Sequence, residues 1–151
     1  MEYSVVQIGP ENYGRFRDMV FWRENSFERE PVSCVMPEEV LQVLRGGSLR
    51  VYAAESAGRF VGWISLVRMP KISRFEGLGY IYVDEIWVQE DFRRRGIGAA
   101  LLKTADAWAA EAGDAGVRLY VNTENPEARR LYEKCGFAAQ GTAEFMEKEC
   151  L

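Results

Sequence analysis

The stretch Asp91-Phe92-Arg93-Arg94-Arg95-Gly96-Ile97-Gly98 joins two segments of opposite character. Before it, "LGYIYVDEIWVQ" (78–89) is rich in Tyr, Ile, Val and Trp, which predicts a strand. After it, "AALLKTADAWAAEAG" (99–113) carries apolar residues at helical spacing, which predicts a helix over 96–112 that Gly113 ends. Three arginines and two glycines therefore stand where a strand runs into a helix.

This junction has the features of an anion-binding loop. The first turn of a helix presents unpaired backbone N–H groups and a partial positive charge. Glycines let the backbone approach a ligand closely, and arginines add charge-assisted hydrogen bonds. The pattern predicts a site for a phosphate or diphosphate. The alternative is a tight turn at Gly96 with arginines that are only solvated surface charges.

Two better-known phosphate loops do not fit the stretch. In the dinucleotide pattern G-x-G-x-x-G, counted from Gly96 and Gly98, the third glycine would fall at Leu101. The pattern G-x-x-x-x-G-K-[ST] is also missing. The loop therefore belongs to a third kind.

Composition limits the partners. The chain has 151 residues, 48% of them apolar, which predicts one domain over 1–151. Its net charge of −4 argues against nucleic acid and favours cationic partners. It has no histidine, and its three cysteines lack metal-ligand spacing, so we predict no metal site and reduced thiols. No apolar run approaches the ~20 residues of a membrane span, and the first residues do not resemble a signal peptide. We therefore expect no membrane partner and a cytoplasmic location.

The order of predicted elements is that of an α/β protein with a mixed sheet. Antiparallel strands come first, and a strand–helix–strand crossover follows. The predicted strands are 3–8, 49–55, 59–69, 78–89, 117–122, 137–139 and 143–148, and residues 71–77 form a polar connection. The predicted helices are 11–25, 37–45, 96–112 and a short one that opens at Asn125-Pro126 and ends at Gly136.

Two segments together resemble the GNAT superfamily of acetyl-CoA-dependent N-acetyltransferases. Arg93-Arg94-Arg95-Gly96-Ile97-Gly98 is similar to the family's Arg/Gln-x-x-Gly-x-Gly/Ala loop. "NTENPEARRLYEKCGF" (122–137) is similar to its Asn-x-x-Ala-x-x-x-Tyr-x-x-x-Gly-Phe segment. The resemblance covers about 78–148. It implies a single α/β GNAT-like domain with about four helices and a six- to seven-stranded sheet, splayed near the middle through a bulge.

The resemblance also implies a role for individual residues in holding acetyl-CoA as a co-substrate. The loop backbone would bind the diphosphate, the strand before it would pair with the pantetheine arm, and Asn125 would bond to that arm. The implied cofactor-binding residues are Ile86, Trp87, Val88, Arg93, Arg94, Arg95, Gly96, Ile97, Gly98, Ala99 and Asn125. From its position alone, Asn125 can equally be interpreted as the N-cap of the helix that follows it.

Three residues are candidates for proton transfer. A lysine-like amine is mostly protonated at pH 7, so a carboxylate has to remove its proton. Asp84 and Glu85 lie on the strand before the loop. Strand alternation turns only one of them toward an acceptor unless a bulge intervenes. By resemblance, Tyr132 would protonate the departing thiolate. Its helical spacing with Ala128, Leu131 and Cys135 equally fits core packing.

These features predict an enzyme that moves an acetyl group to a primary amine by direct attack in a ternary complex. The alternatives are a non-catalytic module that senses acetyl-CoA and a nucleotide-binding domain that uses the loop for another diphosphate. The acceptor stays open among polyamines, aminoglycoside-like amines, and protein N-termini or lysines. Homodimers are common in the family that the chain resembles.

Overall fold

The computed structural model of the chain describes residues 2–73 and 79–151. Leu78 of the predicted strand and residues 74–77 of the predicted polar connection lie outside the described residues. The chain divides into two compact units, residues 1–120 and 121–151, which are described separately. The single domain over 1–151 stays a prediction.

The first unit is built on one mixed sheet of five strands in the order β1-β2-β3-β4-β5. The first three pairings are antiparallel, and β4 and β5 are parallel. The crossover between β4 and β5 contains the longest helix, as predicted for a strand–helix–strand unit. The strands are β1 (Ser4–Gln7), β2 (Leu49–Ser56), β3 (Arg59–Pro70), β4 (Gly79–Val88) and β5 (Gly116–Arg118).

The helices of the first unit agree closely with the predicted ones. They are α1 (Tyr13–Asn25), α2 (Glu38–Arg45) and α3 (Ile97–Ala112). Pro37 is the N-cap of α2 rather than its first residue. Gly113 ends α3 in the left-handed conformation, with φ of 68°. A short 3₁₀ turn, Glu90–Phe92, precedes α3 and was not predicted.

Helix α1 packs over one face of the sheet. Met19 and Val20 are buried in α1, and they join a cluster with strand residues that includes Phe60 and Trp63. Trp87 of β4 packs against the edge of this cluster. On the α1 face of the sheet, the side chains at β3 and β4 are therefore aromatic.

Helix α3 contacts β2, β3, β4 and β5. Its buried side chains recur at helical spacing, as the sequence predicted, and they are Ile97, Leu101, Leu102, Ala105, Trp108 and Ala109. Just after the helix, Asp114 accepts two hydrogen bonds of 2.8 Å from Arg68 and one of 3.2 Å from the Gly79 N–H. The end of α3 is thereby tied to the start of β4.

The second unit contains one helix, α4 (Pro126–Lys134). The predicted cap is confirmed, since the Asn125 side chain accepts a hydrogen bond of 3.1 Å from the Ala128 N–H. One strand prediction is too long, and two are wrong. Strand β5 stops at Arg118 instead of 122, and residues 137–139 and 143–148 form no strand. The alternating apolar pattern indicates only that a segment suits a sheet, whereas a strand also needs a partner for its backbone hydrogen bonds. The described residues therefore hold five strands, not six or seven.

Within the described part of the chain, no helix is long and apolar enough to cross a membrane.

Candidate functional site

Strand β4 carries a bulge at Asp84. Ser65 of β3 pairs with Glu85, and the next residue, Leu66, pairs with Val83, so Asp84 has no partner of its own. An extra residue reverses the alternation beyond it. Val83 is buried, while Asp84 and Glu85 are both exposed. Both carboxylates therefore reach the surface, and which of them faces an acceptor stays a prediction.

Strands β4 and β5 pair over a short length. Their register covers only Tyr80, Ile81 and Tyr82 of β4, so β5 accompanies the first part of β4 and then stops. Beyond Tyr82, β4 has no strand partner on this side within the described residues. The bulge at Asp84 lies two residues beyond the last residue of β4 that pairs with β5.

The register indicates which backbone groups line this edge. The Gln89 N–H donates to the Val61 carbonyl at 2.8 Å, so the backbone of Gln89 faces β3. Because successive residues of an antiparallel strand alternate their hydrogen-bonding direction, Trp87 also faces β3. Ile86 and Val88 direct their N–H and C=O groups to the side of β5. Two of the three predicted pantetheine-binding residues therefore present backbone groups there.

The loop after β4 is held by its own side chains. The Arg93 Nε donates to the Val88 carbonyl at 2.8 Å, which fastens the loop to the end of β4. Arg94 and Gly96 both have positive φ, 61° and 84°. The Arg95 guanidinium lies 5.6 Å from the centroid of the Phe92 ring. A strained non-glycine residue such as Arg94 is typical of a functional loop.

The start of α3 has the form of an anion site. Gly96 is the N-cap, with no side chain to accept a hydrogen bond, and the first backbone bond of the helix runs from the Ala100 N–H to the Gly96 carbonyl. The N–H groups of Ile97, Gly98 and Ala99 therefore lie before the helical ladder begins. In most helices a Ser, Thr, Asp or Asn side chain would cap them. The residues present fit a diphosphate, since an outside anion can take the place of the missing cap.

The exposed carboxylates lie among aromatic and basic side chains. The Arg23 Nη1 atom of α1 is 3.6 Å from the Glu85 Oε2 atom. Burial raises the pKa of Tyr82, and the negative charge of Asp84 raises it further. The Tyr82 ring lies edge-on to Tyr120, with 5.8 Å between centroids. The site is thus acidic at the bulge and aromatic around it.

The second unit holds the other two predicted site residues. Asn125 caps α4, so the structural interpretation of this residue is satisfied. Tyr132 is buried in α4, with its ring 6.0 Å from that of Phe137, and burial raises the pKa of its phenol. The roles of both residues toward acetyl-CoA stay predictions.

Sequence reasoning missed Arg23 as a member of the site. Its partner lies far along the chain, and helical spacing groups it with the apolar residues of α1 as part of the packed face. The available signal was its helical spacing from Met19 and Val20. This spacing puts a charged residue on the buried side of α1. Among the described residues, no group of three His, Cys, Asp or Glu residues could hold a metal ion.

Comparison with known proteins gives a family match and partial relatives. Residues 16–137 match the Acetyltransferase (GNAT) family. An uncharacterised N-acetyltransferase of Methanocaldococcus jannaschii is 36% identical over 86 residues, which are 57% of this chain and 38% of that protein. The streptothricin acetyltransferase of Escherichia coli is 35% identical over 66 residues, which are 44% of this chain and 38% of that protein. In both comparisons the match therefore spans well under half of the curated relative's length.

Solved structures extend the likeness of fold to nearly the whole chain. An aminoglycoside acetyltransferase from an uncultured soil metagenomic sample has a TM-score of 0.80 at 17% identity, covering 98% of this chain and 97% of that one. The aminoglycoside N-acetyltransferase AAC(6′)-Iy, solved in complex with CoA, has a TM-score of 0.74 at 18% identity, covering 97% and 100%. These likenesses concern the fold, and the family match over residues 16–137 shows that the chain belongs to the GNAT acetyltransferase family.

Proposed function

We propose that the chain transfers an acetyl group from acetyl-CoA to a primary amine by direct attack in a ternary complex. One observation carries the proposal: the edge of β4 that β5 leaves unpaired is followed, after a short loop, by a helix start that lacks a side-chain cap. An elongated ligand with an amide-containing arm and a diphosphate needs these two surfaces in this order. A likeness of fold to a protein solved with CoA supports the choice of ligand.

Different groups of the proposed binding residues contact different parts of the ligand. The backbone from Arg94 to Ala99 holds the diphosphate, with charge from Arg93, Arg94 and Arg95 around it. The backbone groups of Ile86 and the N–H of Val88 bond to the pantetheine arm as a neighbouring strand would, while the Val88 carbonyl already accepts from Arg93. An N–H of this edge donates to the thioester oxygen as negative charge develops on it. Asn125 completes the contacts to the arm.

The proposed reaction needs two proton transfers. The neutral amine attacks the carbonyl carbon, a C–N bond forms and the C–S bond breaks. The amine loses a proton to a carboxylate, Asp84 or Glu85, directly or through water. The CoA thiolate takes a proton from the Tyr132 phenol. The products are an acetamide and CoA with a free thiol. Binding energy from the distant diphosphate positions the thioester for this attack.

The acceptor that the site supports best is cationic. Both carboxylates at the bulge are exposed, and the chain carries a net charge of −4. An acidic surface raises the local concentration of ammonium groups. A relative of the chain is named for its action on streptothricin, and proteins of the same fold are named for aminoglycosides. A small amine with more than one positive charge is therefore our proposed acceptor.

The deciding experiment has two stages. Calorimetric titration with acetyl-CoA, with ATP and NAD as controls, tests the ligand of the loop. Release of CoA thiol across a panel of amines then tests transfer. Selective binding of acetyl-CoA with amine-dependent thiol release supports the proposal. Selective binding without transfer to any amine would favour the sensor module, and equal binding of ATP or NAD would favour a nucleotide-binding domain.

A further inference from the structure

A cation of the chain itself already lies against the acidic site. The Arg23 Nη1 atom is 3.6 Å from the Glu85 Oε2 atom, and the Arg23 guanidinium lies 5.4 Å from the centroid of the Trp63 ring. Trp87 is next to Trp63, with 5.2 Å between the ring centroids. Glu85 and these rings therefore form a place that accepts one positive charge, through a carboxylate and aromatic faces together.

The arginine is held loosely there. The distance of 3.6 Å is too long for a hydrogen bond, and the side chains of Arg23 and Glu85 are 46% and 50% exposed. By contrast, Arg15, on the same helix, donates a hydrogen bond of 2.9 Å to Glu55 and another of 3.0 Å to the Gly58 carbonyl. An exposed ion pair without a hydrogen bond contributes little free energy, so another cation can replace Arg23 at small cost.

A buried hydroxyl lies beside Glu85 on the neighbouring strand. Ser65 pairs with Glu85 in the register of β3 and β4. Its hydroxyl oxygen is buried and has no hydrogen-bond partner among the residues that the structure describes. Buried hydroxyls are usually paired. A Glu85 carboxylate that turned away from Arg23 would find a donor here.

We propose that Arg23 is a displaceable internal cation that determines how the chain discriminates between diamine and monoamine acceptors. This inference rests on the proposed function. The bulge exposes two consecutive carboxylates, and they take different parts of a diamine. Asp84 receives the amine that will react, and the second ammonium replaces Arg23 at Glu85. A monoamine has no second ammonium group to take the place of Arg23. Only a diamine therefore competes with Arg23 for Glu85.

Removal of Arg23 should therefore improve the binding of diamines selectively. The probes are 1,4-diaminobutane and 1-aminobutane, titrated into the full chain with and without saturating CoA, by calorimetry and tryptophan fluorescence. We expect Arg23→Gln to raise the ratio of diamine to monoamine affinity by roughly two- to fivefold, the effect of removing one exposed competing charge. Arg23→Lys keeps the charge and should keep the wild-type ratio.

The matched control is Arg15→Gln, which removes an arginine of the same helix that also contacts a carboxylate and an aromatic ring. We expect it to leave the ratio unchanged. In a Glu85→Gln background, Arg23→Gln should have no further effect, as a double-mutant cycle would report. An unchanged ratio in Arg23→Gln, an equal rise in Arg15→Gln, or no diamine binding to either the wild type or Arg23→Gln would overturn the inference. These readouts are binding constants, so an absence of acetyl transfer would count against the proposed function alone.

Discussion

At the scale of single residues, Asp84 and Glu85 have the same chemistry but different surroundings. Glu85 has Arg23 beside it, whereas Asp84 is the unpaired residue of the bulge. The Glu85 carboxylate is therefore already in contact with a cation of the chain, which an incoming ammonium group would have to displace. We therefore propose Asp84 as the group that takes the proton of the amine.

Asp84→Asn should lower kcat/KM at pH 7 by about 100-fold, the lower end of the usual effect of a general base. The deficit should shrink as the pH rises toward the amine pKa of about 10.4, where the acceptor loses its proton unaided. A pH–rate profile measures this change. Glu85→Gln is the matched control, and a larger loss in that variant would assign the base to Glu85 instead.

Tyr132 is a second residue whose surroundings bear on its chemistry. Burial raises the pKa of its phenol, so the proton that it would give to the thiolate stays in place at neutral pH. Tyr132→Phe should lower kcat by roughly 100-fold and change the affinity for acetyl-CoA far less, as expected for a general acid. In the wild type, loss of rate through ionisation of Tyr132 should begin only above the ordinary tyrosine pKa of about 10.

Steady-state kinetics and calorimetry on the same preparations separate these two effects of Tyr132→Phe. Tyr13→Phe removes the hydroxyl of another buried tyrosine and should leave both kcat and affinity unchanged. An unaltered kcat in Tyr132→Phe would leave the phenol with a packing role only.

At the scale of elements, the loop between β4 and α3 makes a sharp prediction about Gly96. This residue has φ of 84° and stands at the N-cap of α3, and an added Cβ would come within 3.3 Å of the Tyr3 hydroxyl. An aspartate in that position would add bulk and a negative charge beside the N–H groups that are proposed to bind the diphosphate. Gly96→Asp should therefore weaken acetyl-CoA binding by roughly 100-fold, about 2.8 kcal/mol, while the chain stays folded.

Calorimetric titration measures that loss, and Gly47→Asp is its control. Gly47 also has positive φ, 77°, and a Cβ added to it would meet no atom within 4 Å, but it lies in the turn after α2. The control variant therefore adds the same charge and a similar backbone strain away from the loop. Unchanged acetyl-CoA affinity in Gly96→Asp would remove the diphosphate from the start of α3.

The contact between α3 and the first residues of β4 should set part of the stability. The side chain of Asp114 is 1% exposed, and its hydrogen bonds to Arg68 hold its pKa below the ordinary value. Asp114→Asn should lower the free energy of unfolding by about 2 kcal/mol at pH 7, because a buried charged hydrogen bond is lost. Chemical denaturation measures this difference.

Chemical denaturation at low pH tests how the stabilisation by Asp114 depends on pH. A depressed pKa means that the stabilisation by Asp114 is present above the unfolded-state value of about 3.9 and is lost as the pH falls through the lower folded-state value. The difference between the wild type and Asp114→Asn should therefore narrow below pH 4. Glu111→Gln, in an ion pair that is 64% exposed at the carboxylate, should change stability little at any pH.

The elements also show where sequence reasoning works and where it fails. Helix α3 was predictable because its periodicity, its glycine ends and its packing face agree. The bulge at Asp84 was not readable from β4 alone, because register is a property of two strands. The failed strands at 137–139 and 143–148 have the same cause, since the pattern of one segment carries no information about its partner.

At the scale of the whole molecule, sequence reasoning identified the proposed ligand loop but not the residues around the proposed acceptor site. The loop is one continuous stretch, so its chemistry can be predicted from residues that are adjacent in the sequence. Arg23, Trp63 and Glu85 come from α1, β3 and β4, and only folding brings them together. The net charge of −4 is a property of the whole chain, so the preference for cationic partners could be predicted without coordinates.

The prediction of one domain over 1–151 is testable by heat. Residues 121–151 contain one short helix and fall below the ~40 residues under which a chain segment rarely folds alone. We therefore expect a single calorimetric transition, with the calorimetric and van't Hoff enthalpies equal. Acetyl-CoA at 100 times its dissociation constant should stabilise the folded chain by about 2.7 kcal/mol and raise the midpoint. At the same concentration the stabilisation of Gly96→Asp should fall to about 0.4 kcal/mol, because its affinity is roughly 100-fold lower. Two separate transitions would mean that the chain contains two domains, and a single transition insensitive to acetyl-CoA would contradict the proposed ligand while leaving the single domain intact.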